Sequence, residues 1–73
     1  MNENMNTNKS KYWIISDSEY GDIGIEFERP MSEQRAITYY KQQFDIDYLL
    51  LDATIEAYPV TKAELYLSEL DIL

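Results

Sequence analysis

The side chains able to do chemistry in this chain are almost all carboxylates. Fourteen Asp and Glu stand against six Lys and Arg, with neither a cysteine nor a histidine. That composition removes thiol nucleophiles, imidazole bases, disulfide staples and the two commonest zinc ligands together. Asp17, Glu19 and Asp22 lie close in sequence and offer the oxygen ligands that hard cations take. Their spacing is not that of an EF-hand loop, which needs ligands at alternating positions, a central glycine and a distal glutamate, so no metal is expected. Paired carboxylates can act as acid and base in glycoside hydrolysis, but 73 residues offer little cleft for a glycan, and no enzymatic role is expected. Gly21 and Gly24 lack the further glycines and the lysine of a phosphate-cradling loop, which leaves them a turn role. No cofactor is expected.

What remains of the carboxylates is their charge. The formal net charge is −8 and the pI about 4.2. Such a chain repels a phosphate backbone, and its basic residues form no patch, so direct nucleic-acid binding is not expected and a basic protein partner is. The acids are unevenly spread. Asp17, Glu19, Asp22, Glu26 and Glu28 follow one another without a base, as do Asp45, Asp47, Asp52 and Glu56, with Arg29, Arg35 and Lys41 between the two segments. Carboxylates ranged along strands of one sheet imitate a row of phosphates and steer a groove lined with Lys and Arg. The competing reading is a solvated face that keeps a small protein soluble.

Seven tyrosines are the second unusual feature. Tyr39 and Tyr40 cannot both face the core from one helix, and Tyr48 and Tyr58 fall on the polar side of a strand. Tyrosine beside carboxylates is common at interface centres, though the rings can equally cap the rim of a thin core. Trp13 is expected in the core. The expected partner-binding set is Asp17, Glu19, Asp22, Glu26, Glu28, Asp52, Glu56 and Tyr58. Arg35, Lys41 and Gln42 point outward from the first helix, where pairing with the flanking acids competes with docking of an acidic partner or a second copy.

These residues need elements to hold them. The pattern predicts one small α+β domain over residues 11–73 behind a disordered tail, 1–10, that is polar and Asn-rich. Tyr12 to Ile15 reads as a strand stopped by Ser16, Asp17 and Ser18. Glu19 to Asp22 makes a turn with Gly21 free to take positive φ. The second strand alternates Ile23, Ile25 and Phe27 with Gly24, Glu26 and Glu28, and Pro30 ends it. Ser32 caps a helix running to Phe44, with Ala36, Tyr40 and Phe44 in one stripe beside Ile37. After a loop at 45–47, Leu49 to Tyr58 alternates as a third strand that Pro59 stops. Thr61 and Glu64 form a capping box for a second helix, with Ala63, Tyr66 or Leu67, Leu70 and Leu73 at helical spacing.

The predicted order is therefore β-β-α-β-α, a three-stranded sheet with the first helix on one face. If the second helix packs on that same face, the opposite face presents Glu26, Glu28, Asp52, Thr54, Glu56 and Tyr58. The choice between Tyr12 with Ile14 and Trp13 with Ile15 as the buried side of strand one stays open. An exposed edge of strand one or three leaves pairing with a second copy open. Apolar runs as short as Tyr48–Leu51 do not span a membrane, and a cytoplasmic protein is expected.

In size, acidity, absence of Cys and His, and tyrosine content, the chain resembles the small acidic proteins of phages and other mobile elements, anti-CRISPR and DNA-mimic inhibitors among them. The resemblance lies in composition and architecture and carries no motif, so no family's functional residues transfer onto this sequence. It implies a non-catalytic inhibitor that occupies the nucleic-acid-binding groove of a defence or regulatory protein, with Glu26, Glu28, Asp52, Glu56 and Tyr58 in contact. The rival expectation is an interaction module or adaptor that binds through its apolar rim and helix instead of its charge.

Overall fold

Period-two alternation of apolar side chains builds the sheet, and the computed structural model describes it over residues 9–44 and 54–73. The elements are β1 (Ser10–Asp17), β2 (Gly21–Met31), α1 (Glu33–Phe44), β3 (Ile55–Pro59) and α2 (Lys62–Leu67), the expected order of an α+β fold. The residues that pattern placed at 1–8 and 45–53, including the first half of the third strand, lie outside the described residues. Ser10 already belongs to β1, so ordered structure begins before the boundary expected at residue 11.

The sheet runs β2-β1-β3, antiparallel throughout. Trp13 pairs with Ile25 and Ile15 with Ile23 on one side of β1, while Ile14 pairs with Tyr58 and Ser16 with Glu56 on the other. Trp13, Ile15, Ile25, Phe27 and Ala57 share one face and pack with Ala36 and Tyr40 of α1 into the core. That settles the buried side of β1. Each fully buried side chain of this size contributes about 1.5–3 kcal/mol. The Trp13 indole N–H is satisfied by the Ser10 carbonyl at 2.8 Å. The helix that covers this face starts where expected: the Arg35 amide donates to the Ser32 hydroxyl oxygen at 3.2 Å.

Proline does not end β2. The register jumps from Tyr12↔Glu26 to Ser10↔Met31, so the residues between form a bulge, and Pro30 sits where no ladder bond is required of it. Pro59 is likewise tolerated as the last residue of β3. Val60 N–H donates to the Tyr12 carbonyl and Ser18 N–H to the Thr54 carbonyl, each at 3.0 Å, so even-numbered β3 residues bond inward and the proline nitrogen faces away from β1.

The second helix departs from expectation in length and in place. It ends after six residues at the Ser68 cap, because the Ser68 hydroxyl donates to the Leu65 carbonyl and accepts from the Leu70 amide, and Glu69 turns the chain with φ of 62°. The chain then runs extended beside β2. Gly24 N–H donates to the Asp71 carbonyl and Leu73 N–H to the Gly24 carbonyl, both at 2.8 Å, forming a parallel bridge. Leu65, fully buried, projects against Gly24 on the face opposite α1. Ala63 and Leu67, placed on the predicted stripe, are exposed. Both faces of the sheet therefore carry a helix, and the face expected to be free is covered around Gly24 while Asp22, Glu56 and Tyr58 stay exposed on it.

Candidate acidic interface

The acidic surface is organised by the β1–β2 turn and by the strands that flank β1. Asp17 closes β1 and faces the core side, 3% exposed. One carboxylate oxygen accepts from the Glu19 amide at 2.8 Å and the Tyr20 amide at 3.3 Å, and the other accepts from the Tyr40 hydroxyl at 2.6 Å. Asp17 is therefore a structural anchor, a correction to its place among the surface contacts. Four residues on, Gly21 adopts φ of 95°, a conformation that glycine takes without a Cβ penalty.

Asp22, Ser16 and Glu56 lie in one row across the sheet, since Ser16 pairs with both acids. Asp22 and Glu56 thus point from the same face with β1 between them, about 10 Å apart at two strand spacings. Tyr58, beside Ile14 in the next row, donates its hydroxyl to the Glu56 carboxylate. That bond raises the Tyr58 pKa above 10.0, and the negative charges of Glu56, Asp22 and Glu33 push it the same way. Carboxylates from β2, α1 and β3 therefore bear on one exposed phenol.

Glu26 stands four residues beyond Asp22 on β2, about 13 Å along the strand at the usual rise. It accepts from the Tyr66 hydroxyl of α2, which raises the Tyr66 pKa above its ordinary value. Tyr66 was not among the expected contacts. Its signal in the sequence was ambiguous, because either it or Leu67 could hold the stripe position. Glu28 is exposed within the bulged part of β2, and Glu19 is exposed at the turn. Asp52 lies outside the described residues.

The two acidic segments therefore do not sit on adjacent strands. β1 separates them, and α2 with the C-terminal segment occupies the sheet centre over Gly24. Glu56 and Tyr58 share open surface with Asp22, while Glu26 lies across α2. β1 is central and offers no edge to a second copy; the outer strands are β2 and β3.

A groove of about 870 Å³ opens on the other side, between β2 and α1. α1 packs chiefly against β3 and β1 and least against β2, so a strip of the core face over β2 is left uncovered. Phe27, Met31 and Tyr39 form its apolar wall, with Phe27 and Tyr39 in edge contact at a ring separation of 5.2 Å.

Among the described residues no three acidic side chains gather as a metal site, and no helix is long and apolar enough to cross a membrane. The chain matches no protein-family model, no curated protein and no solved structure.

Proposed function

We propose that the protein is a non-catalytic, phage-type inhibitor that binds another protein, occupying a basic nucleic-acid-binding groove with its acidic face. The observation that carries this reading is the shared surface of Asp22, Glu56 and Tyr58. Like charges held on one side of a small sheet cost stability, and general solubility does not require that arrangement. Glu19 extends the surface at the turn, and Glu26 and Glu28 flank it beyond α2. A chain without cysteine suits the reducing cytoplasm in which such a partner acts.

An interaction module without mimicry is the second reading, favoured by α2, where Leu67 is 80% and Tyr66 50% exposed. Ionic strength separates the two. A mimic loses its partner steeply as salt rises, whereas an apolar adaptor scarcely responds. The deciding measurement captures partners from the host, then tests release by salt and by competing DNA or RNA. Asp22→Asn with Glu56→Gln is expected to abolish capture while leaving the fold intact. Undiminished capture by that folded variant overturns the inhibitor reading.

A further inference from the structure

Half of the six cations of this acidic chain meet in one place. Pairing of Ser10 with Met31 brings Lys9 to the bulged end of β2, and α1 begins two residues later. Lys9, Arg29 and Arg35 thereby surround a hollow beside Ser32 that, among the described residues, no carboxylate lines. No ion pair among those residues ties the three cations to an acid. Gathering them costs repulsion that an anionic group seated between them relieves. The Ser32 oxygen accepts from the Arg35 amide at 3.2 Å, which leaves its own hydrogen to donate. Guanidinium forks, an ammonium and a hydroxyl are donors that suit the oxygens of a phosphate.

The hollow opens into the groove between β2 and α1, with Arg29, Met31, Ser32 and Arg35 common to both. At about 870 Å³ the groove has the size of a small-molecule site. Gln34, Thr38 and Gln42 recur every four residues along α1 and form one exposed row of its lining. Amide and hydroxyl groups there both donate and accept. Phe27 meets Tyr39 edge-on and so fixes the half-buried Tyr39 ring. Glu26 and Glu28 line the groove but not the hollow. A nucleic-acid strand, charged along its whole length, is repelled there, whereas a ligand with a single anionic end is not.

We propose that the hollow and the groove together bind a nucleoside monophosphate. Its phosphate sits among Lys9, Arg29, Arg35 and the Ser32 hydroxyl, and its base lies on Tyr39 within reach of Thr38 and Gln42. A phosphate dianion offsets three cations better than one carboxylate does. The base brings a flat face for the ring and both donors and acceptors for the polar row. A hydrocarbon body would instead cover those amides without pairing them, at a desolvation cost. Arg35 and Gln42 lie about 10 Å apart along α1, a separation that one mononucleotide spans. The site is distinct from the Asp22–Glu56–Tyr58 surface and does not depend on it.

The test titrates the full chain, in phosphate-free buffer, with the four common ribonucleoside 5′-monophosphates, their nucleosides and inorganic phosphate, read by amide NMR. At least one monophosphate is expected to bind with Kd below about 1 mM and to move the amide resonances of Arg29, Ser32, Thr38 and Tyr39. Its nucleoside and inorganic phosphate should each bind about tenfold or more weakly, because each lacks half of the contacts. Arg29→Gln with Arg35→Gln, both exposed positions, should keep the fold by circular dichroism and weaken the nucleotide by about tenfold or more. Thr38→Ala with Gln42→Ala, also exposed, should weaken the nucleotide and leave inorganic phosphate unaffected. Asp22→Asn with Glu56→Gln should bind the nucleotide at least as well as the native chain does. No binding of any monophosphate, inorganic phosphate bound as tightly as the nucleotide (an adventitious ion only), or shifts centred on Tyr58 would each overturn the proposal.

Discussion

The Tyr40 hydroxyl donates a 2.6 Å hydrogen bond to the buried Asp17 carboxylate, joining the last turns of α1 to the end of β1. The other oxygen of that carboxylate holds the Glu19 and Tyr20 amides. One side chain thus closes the hairpin and fixes the helix. A hydrogen bond to a charged group contributes more than a neutral one, and a buried acceptor stripped of its donor bears its desolvation cost. Tyr40→Phe is expected to destabilise the fold by about 1–3 kcal/mol, and Asp17→Ala by more, because it also frees the turn amides. Urea unfolding with an unchanged m-value checks both. A Tyr40→Phe protein as stable as the native chain would show that the bond does not hold the helix.

Gly24 is required for a steric reason. A Cβ built there would lie 2.6 Å from Leu65 Cδ1 and 3.4 Å from Ile72 Cγ1. Leu65 is fully buried and has little room to rotate away. Gly24→Ala is expected to cost about 1–3 kcal/mol by overpacking. Leu65→Ala alone is expected to cost about 2–5 kcal/mol through the void it leaves. Because the new methyl enters the space the leucine vacates, the double variant should be more stable than the sum of the two losses implies. Strict additivity would place Leu65 elsewhere.

The helix that carries Leu65 is only six residues long, well below the length at which a helix persists alone in water. Its capping box is therefore a large share of its local stability. Thr61 Oγ1 accepts from the Glu64 amide at 3.1 Å, and Glu64 Oε1 accepts from the Thr61 amide at 2.8 Å. Thr61→Ala is expected to cost about 0.5–2 kcal/mol. At the other end, Glu69 holds a left-handed conformation without being glycine. Glu69→Gly should stabilise by about 0.5–1 kcal/mol, the strain relieved less the added entropy of the unfolded chain. Thermal unfolding of the two single variants should move in opposite directions.

Local signals located the elements well, because turn residues, the Ser32 cap and the Thr61–Glu64 box act within a few residues of themselves. Which face each element covers is set by distant residues. Tyr12 and Ile14 gave the second side of β1 apolar surface of its own, and a glycine opposite Ile14 left a seat for a side chain. Together they required a cover on that side, which α2 provides. The same parity that buries Trp13 and Ile15 carries Asp17 inward, where the Tyr40 hydroxyl, 23 residues away, joins the Glu19 and Tyr20 amides in making that burial tolerable. The acidic rows on β2 and β3 were legible as rows. Their separation by β1 was not, since strand order depends on long-range pairing that alternation does not encode.

The exposed phenols of Tyr58 and Tyr66 give the acidic surface a signature in alkaline solution. Each donates to a neighbouring carboxylate, Glu56 and Glu26 respectively, and can do so only while protonated. The hydrogen bond is the leading cause by which each pKa is raised above 10.0, and nearby negative charge adds to it. Folding therefore holds these protons more tightly than the unfolded chain does. The sign follows: this contribution to stability is complete below the unfolded value and is lost as pH rises through the raised folded value. Tyrosinate absorbance should contain a component that titrates later in the folded protein than in urea, and Tyr58→Phe with Tyr66→Phe should remove it. Stability of the native chain should fall across that alkaline window more steeply than stability of the double variant. Parallel pH profiles for the two proteins would mean that neither hydroxyl is engaged by its carboxylate in solution.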